Sequence, residues 1–194
     1  MPLPEGKLKN SGFTMVELLA AILISGIVIA GLYSVFLSQQ VAFSAQEQIT
    51  EMVQNVRAAM DLMTREIRLA GYKNSTTTFD GIATAQASRI RILADLNGDG
   101  DTLDDQEDIT YFYDASTQQI LRNSVSLPVA DHITNLSFVY TLVDGSTTSS
   151  PGSLADIRKV NITVTARTAH PGLGTGGYRT ITLTSDVTPR NLGL

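Results

Sequence analysis

The segment from Leu18 to Leu37 is twenty residues long, carries no charge and is apolar almost throughout. A helix of roughly 20 residues, rising about 1.5 Å per residue, spans the ~30 Å hydrocarbon layer of a bilayer. The segment must therefore cross a membrane or be covered along its whole length. Glu17 stands immediately before it. An ionised carboxylate at a helix centre costs about 2.5–3.5 kcal/mol on insertion scales, so an acid at this boundary calls for a cation or an interfacial position.

The residues upstream set the orientation. Residues 1–12 form a short polar leader with Lys7 and Lys9 and no second apolar stretch. Basic flanks stay on the cytoplasmic side, so the expected topology is amino terminus in, with the remainder exported. A cleaved secretory signal fits less well, because the apolar run is long and "SQQVAFSAQEQ" after Leu37 offers no small-x-small site.

The helical period continues beyond the apolar run. Ile49, Met52, Val53, Val56, Met60, Met63 and Ile67 recur at intervals of three and four, one stripe of an amphipathic helix. Arg57, Asp61 and Arg65 alternate in sign on another face. Gly71 after Arg68 reads as a helix stop. The pattern predicts one helix from Phe13 to about Ala70, apolar over 13–37 and amphipathic over 38–71, which needs a partner along its length. Gly26 and Gly31 suit close helix approach or local melting, or are simply tolerated in a transmembrane helix, and no proline lies between Pro4 and Pro128 to kink it.

After Gly71 the period changes. Residues 88–93, 108–114, 118–123, 133–142, 158–168 and 178–187 are rich in β-branched and aromatic residues, and Val160, Ile162 and Val164 alternate with Asn161, Thr163 and Thr165. These read as strands of an antiparallel sheet of four or more. The amphipathic half of the helix would cover one face, making residues 72–194 an α+β head. "VDGSTTSSPGSLAD" and "HPGLGTGGY" read as connecting loops. The glycines of the second loop lack the lysine and following helix of a phosphate-binding turn.

The formal net charge of -5 is local in origin. Residues 95–108, "DLNGDGDTLDDQED", hold seven acids and no base, leaving 14 basic against 12 acidic groups elsewhere. Without a basic stripe, nucleic acid is not expected as the main partner. Asp95, Asn97, Asp99 and Gly100 match the first half of a calcium loop, in which oxygens at alternate positions surround the ion and glycine permits the sharp turn. The second half departs from that pattern. Gln106 holds the position of the closing acid, Glu107 falls one place late, and a strand follows where an exit helix would stand. The expected ligands of a Ca2+ ion are Asp95, Asn97, Asp99 and Asp101, closed by Asp104, Asp105 or Glu107. The alternative is a solvated acidic turn. The chain has no cysteine, so thiolate chemistry is excluded. His132 and His170 are the only histidines and stand in no recognisable catalytic arrangement, so no enzymatic activity is expected.

"GFTMVE" followed by a long apolar helix resembles the amino-terminal signal of type IV pilins and of type II secretion pseudopilins. The resemblance covers Lys7 to about Tyr72. It implies cleavage by prepilin peptidase between Gly12 and Phe13, N-methylation of Phe13, and a role for Glu17, then the fifth residue, in pairing with the amino group of a neighbouring subunit. The run "LMTREIRLAGY", the loop "ADLNGDGD" and the strand "YFYD" further resemble PilW-type minor pilins, relatives of J-type minor pseudopilins. That narrower likeness implies a low-abundance subunit that helps initiate or cap a pilus. Its partners would be other minor pilins, the major pilin, the inner-membrane assembly platform and inner-membrane lipid, with the head periplasmic and later extracellular. Two alternatives stay open: a minor pseudopilin of a type II secretion system, and a non-polymerising, membrane-anchored, calcium-binding adhesin or sensor.

Overall fold

A computed structural model of the chain describes residues 12–73, 78–104, 106–172 and 176–192. The chain divides into two compact units, residues 1–44 and 45–194. Helix α1, Met15–Leu69, contributes to both.

In the first unit every described residue from Gly12 to Val41 is exposed, including the large apolar side chains of the predicted span. The helix passes through Gly26 and Gly31 unbroken, and a Cβ added to either would meet nothing within 4 Å in the isolated chain. Its composition and length suit a membrane crossing.

In the second unit α1 buries one face, made of Met52, Val56, Ala59, Met60, Met63 and Ile67. This is the expected stripe, with Ala59 added and Ile49 and Val53 half-buried at its margin. The helix ends where Gly71 takes φ 77°, a left-handed conformation that costs glycine little and a side chain more. Tyr72 donates its amide to the Leu69 carbonyl across this turn.

The strands form two antiparallel sheets. The first holds β1 (Ile82–Gln86), β2 (Arg89–Leu93), β3 (Asp108–Asp114), β4 (Gln119–Arg122) and β5 (Pro128–Ala130), hydrogen-bonded in chain order. The second holds β6 (Ile133–Leu142), β7 (Thr147–Thr148), β8 (Ile157–Arg167) and β9 (Thr180–Val187), in the order β7-β6-β8-β9. Inward residues of both sheets, among them Ile90, Tyr111, Phe138, Tyr140, Val160 and Ile162, join the buried helix face in one hydrophobic cluster. The Phe138 amide reaches the Ala87 carbonyl at 2.8 Å and ties β6 to the β1–β2 turn.

The α+β class and the helix packed on antiparallel strands stand as expected, with two corrections. The single sheet is two sheets, and three further strands complete them. β1 is rich in alanine and threonine, β5 is three residues with Pro128 at a sheet edge, and β7 is a two-residue bridge inside the segment read as a loop. Strands so short or so weak in β propensity are formed by their neighbours. In the second expected loop, residues 173–175 lie outside the described residues, as do residues 1–11 of the leader.

Candidate functional site

Two regions carry the chemistry: the start of α1 and the loop between β2 and β3.

At the start of α1, Gly12, Phe13 and Thr14 precede the first helical turn and are exposed. Phe13 has 83% of its surface accessible. Glu17 lies in the first turn and its carboxylate is not idle in the single chain. Its Oε2 accepts the Thr14 amide at 2.9 Å and the Thr14 hydroxyl at 2.8 Å, while the Glu17 amide donates to Thr14 Oγ1 at 3.3 Å. This is a reciprocal capping box, in which residue N3 satisfies the N-cap amide and the N-cap side chain satisfies the N3 amide. Thr14 escaped the sequence reading, although the T-x-x-E spacing before an apolar run is the signal that finds it. The carboxylate therefore has a partner within its own chain.

The loop of residues 94–107 leaves β2 and returns at β3, whose register pairs Leu93 with Asp108. Its first half is a ladder of side-chain oxygens on backbone amides: Asp95 Oδ1 accepts from Gly98 (2.6 Å), Asn97 Oδ1 from Asp99 (2.9 Å), Asp99 Oδ1 from Asp101 (3.0 Å) and Asp101 Oδ1 from Leu103 (2.9 Å). Gly98 and Gly100, at φ 82° and 96°, permit the turns. Asp95 is buried; Asn97, Asp99, Asp101 and Asp104 are exposed; Asp105 lies outside the described residues. The Asn97 amide nitrogen donates to Asp99 Oδ2 (3.0 Å) and Asp104 Oδ2 (2.6 Å). Local desolvation, then the charges of Asp99, Glu107 and Asp101, hold the Asp104 carboxyl above its ordinary value.

Glu107 is the unusual member. It is 2% exposed, and its Oε1 accepts the amides of Leu96 at 2.7 Å and Asn97 at 3.1 Å. Gln106, at φ 78°, turns the chain so that Glu107 comes back toward the loop. Carboxylate oxygens of Asp99, Asp101 and Glu107 lie within 4.8 Å of one another. The structure thus brings Glu107 to the first-half acids, one residue later than the standard spacing.

The loop is also fastened to the end of α1. Gly71 donates its amide to Leu93 (2.9 Å), Asp95 to Tyr72 (2.8 Å) and Ala94 to the Glu107 carbonyl (2.9 Å). Nearby, Glu66 of the last helical turns accepts from the buried Tyr111 hydroxyl and from Arg122 Nη2 at 3.0 Å and Nε at 3.2 Å. Burial, then the Glu66 carboxylate, pushes the Tyr111 hydroxyl far above its usual pKa, so it stays a donor.

His132 stands at φ 57° in the turn before β6, and His170 donates its amide to Gln48 Oε1 at 3.2 Å. Neither is hydrogen-bonded to a nucleophile among the described residues.

Comparison with known proteins adds three findings. Residues 7–33 match the family described as the prokaryotic N-terminal methylation motif, and residues 45–184 match the family described as prepilin peptidase-dependent protein B. No curated protein matches the chain. Among solved structures, a type IV-like pilin from Thermus thermophilus is similar at 10% identity and TM-score 0.47, over 72% of this chain and 97% of that one.

Proposed function

Since this chain belongs to the prepilin peptidase-dependent protein B family, within the type IV pilin superfamily, we propose that it is a minor pilin, processed by prepilin peptidase, that helps initiate or cap a pilus. The observation that carries this reading is the junction itself. A glycine and an accessible Phe13 precede a helix whose first turn holds the one acid of an otherwise uncharged span.

In this reading residues 1–12 are the leader, and prepilin peptidase cuts after Gly12 on the cytoplasmic face and methylates Phe13. Residues 13–37 hold the subunit in the inner membrane and then form the packed core of a filament. Residues 38–71 carry the head, residues 72–194, on the periplasmic side. Filament assembly gives the exposed apolar surface of α1 the cover that the single chain lacks. Cleavage creates the amine that Glu17 of an adjacent subunit pairs with, exchanging part of its contact with Thr14 for an intermolecular one. A buried acid–amine pair selects one axial register between apolar helices. The inner-membrane assembly platform, the major pilin and other minor pilins are the partners this implies.

The test is deletion of the gene in the native host, with counting of surface filaments and quantification of the subunit in sheared filaments by mass spectrometry. A minor pilin gives few or no filaments on deletion and a subunit far below the major pilin in abundance. Unchanged filaments with loss of protein secretion would assign the chain to a secretion pseudopilus instead. Unchanged filaments and unchanged secretion would leave a membrane-anchored adhesin or sensor.

A further inference from the structure

We propose that the loop between β2 and β3 is a calcium site in which Glu107 is the closing ligand and Asp99 and Asp101 complete the carboxylate set. This inference stands independently of the filament reading. Acidic loops are common without an ion, and clustering alone would mean little. The distinguishing observation is Glu107 Oε2, which is buried without a hydrogen-bond partner. A buried carboxylate oxygen left unpaired is costly, and a cation is the partner that relieves it.

The carboxylates are close enough to share one cation. The carboxylate oxygens of Asp99, Asp101 and Glu107 all fall within 4.8 Å of one another. Glu107 Oε1 is held by the Leu96 and Asn97 amides, which leaves Oε2 as the oxygen available to an ion. Asp95 is wholly buried and its Oδ1 holds the Gly98 amide, which makes it a brace of the loop's first turn. Asn97 gives its amide nitrogen to Asp99 and Asp104, so its ligand role requires that amide to turn over. An all-oxygen, carboxylate-rich loop suits a hard cation, and its irregular spacing suits the flexible coordination of calcium better than the strict octahedron of magnesium.

The ion would act on more than the loop. Glu107 and Asp95 sit on the chain segments that hydrogen-bond to each other and to Tyr72 just after α1. Filling the site joins the helix end, the end of β2 and the start of β3, and stabilises the head where it meets the helix.

The experiment uses the full chain in a non-ionic detergent, stripped with a chelator and titrated with CaCl2 by calorimetry, with thermal melting in parallel. The expected result is saturable binding of one Ca2+ with Kd of about 10⁻³ M or below, the range of extracellular calcium modules, and a higher melting temperature. Glu107→Gln, which keeps the shape of the side chain, and the exposed Asp101→Asn should each weaken binding about tenfold or more. Asp61→Asn, on the exposed face of α1, should bind as the unaltered chain does. The variants' folding is checked by melting without metal, and either one that folds is sufficient. Absence of saturable binding at calcium concentrations about tenfold above that range, equal affinity for Mg2+, or unweakened binding in a folded variant would each overturn the site.

Discussion

Gly81 packs against Gly71 so closely that a Cβ on Gly81 would lie 2.3 Å from the Gly71 nitrogen and 2.5 Å from its Cα. The approach brings the segment entering β1 against the helix stop and lets the Gly81 carbonyl accept the Leu93 amide at 2.9 Å. Gly81→Ala forces backbone against backbone. It should destabilise the head by about 1–3 kcal/mol or more, as overpacking does, read as a fall in urea midpoint. A midpoint within error of the unaltered chain would refute the contact.

Glu66 holds both Tyr111 and Arg122 at the junction of α1 with the first sheet, and the Glu66 and Arg122 side chains are only 15% and 20% exposed. Glu66→Ala leaves a buried phenol and a largely buried guanidinium without their acceptor. A loss of about 2–4 kcal/mol is expected, against less for Glu66→Gln, which retains an acceptor. Thermal melting of the two variants side by side measures the difference.

Glu17 caps the first turn of α1, and in the proposed filament it would also pair with a neighbour's amine; substitution separates the two. Glutamine serves a capping box as well as glutamate does, yet carries no charge. Glu17→Gln should therefore keep the first turn of α1 ordered by amide exchange, while incorporation into filaments falls about tenfold or more, the scale expected when an intramembrane amine loses its counter-ion. Normal incorporation of this variant would reduce Glu17 to a helix cap.

Three acids, the half-buried Asp114 and the exposed Asp144 and Asp186, make the head acid-sensitive in a defined window. The Ser116 hydroxyl and amide hold Asp114 below the usual carboxylate range, the Ser146 hydroxyl and amide do the same for Asp144, and Asn161 and then Lys159 do so for Asp186. Their folded pKa values lie below the unfolded value of about 3.9, so their stabilisation is complete above that value and disappears as pH falls through the folded ones. Melting of the chelator-treated chain should show their contribution constant from about pH 7 to 5 and lost below about pH 4. Asp114→Asn should blunt the low-pH decline.

What the sequence made legible follows from how local each signal is. The buried face of α1 and the strands β3, β6, β8 and β9 came from unbroken periodicity, and β6 has the expected limits, Ile133–Leu142. β1, β5 and β7 did not, because their residues are held by cross-strand pairing rather than by their own preferences. The division into two sheets depends on β5 and β6 belonging to different sheets although they are adjacent in sequence, which no local pattern records. In the loop, the alternating oxygens were readable at Asp95, Asn97 and Asp99. The return of Glu107 to the side of Asp99 and Asp101 follows the positive φ of Gln106, which no residue pattern records. Thr14 is legible in the T-x-x-E spacing before the apolar run.

The most direct test of the account is mass spectrometry of the amino-terminal peptide, taken from sheared surface filaments and from the membrane fraction of the native host. The account predicts a peptide that begins at N-methylated Phe13 in the filaments and in the processed membrane pool. Peptides that run uncut through Gly12 and Phe13 in both fractions would contradict it.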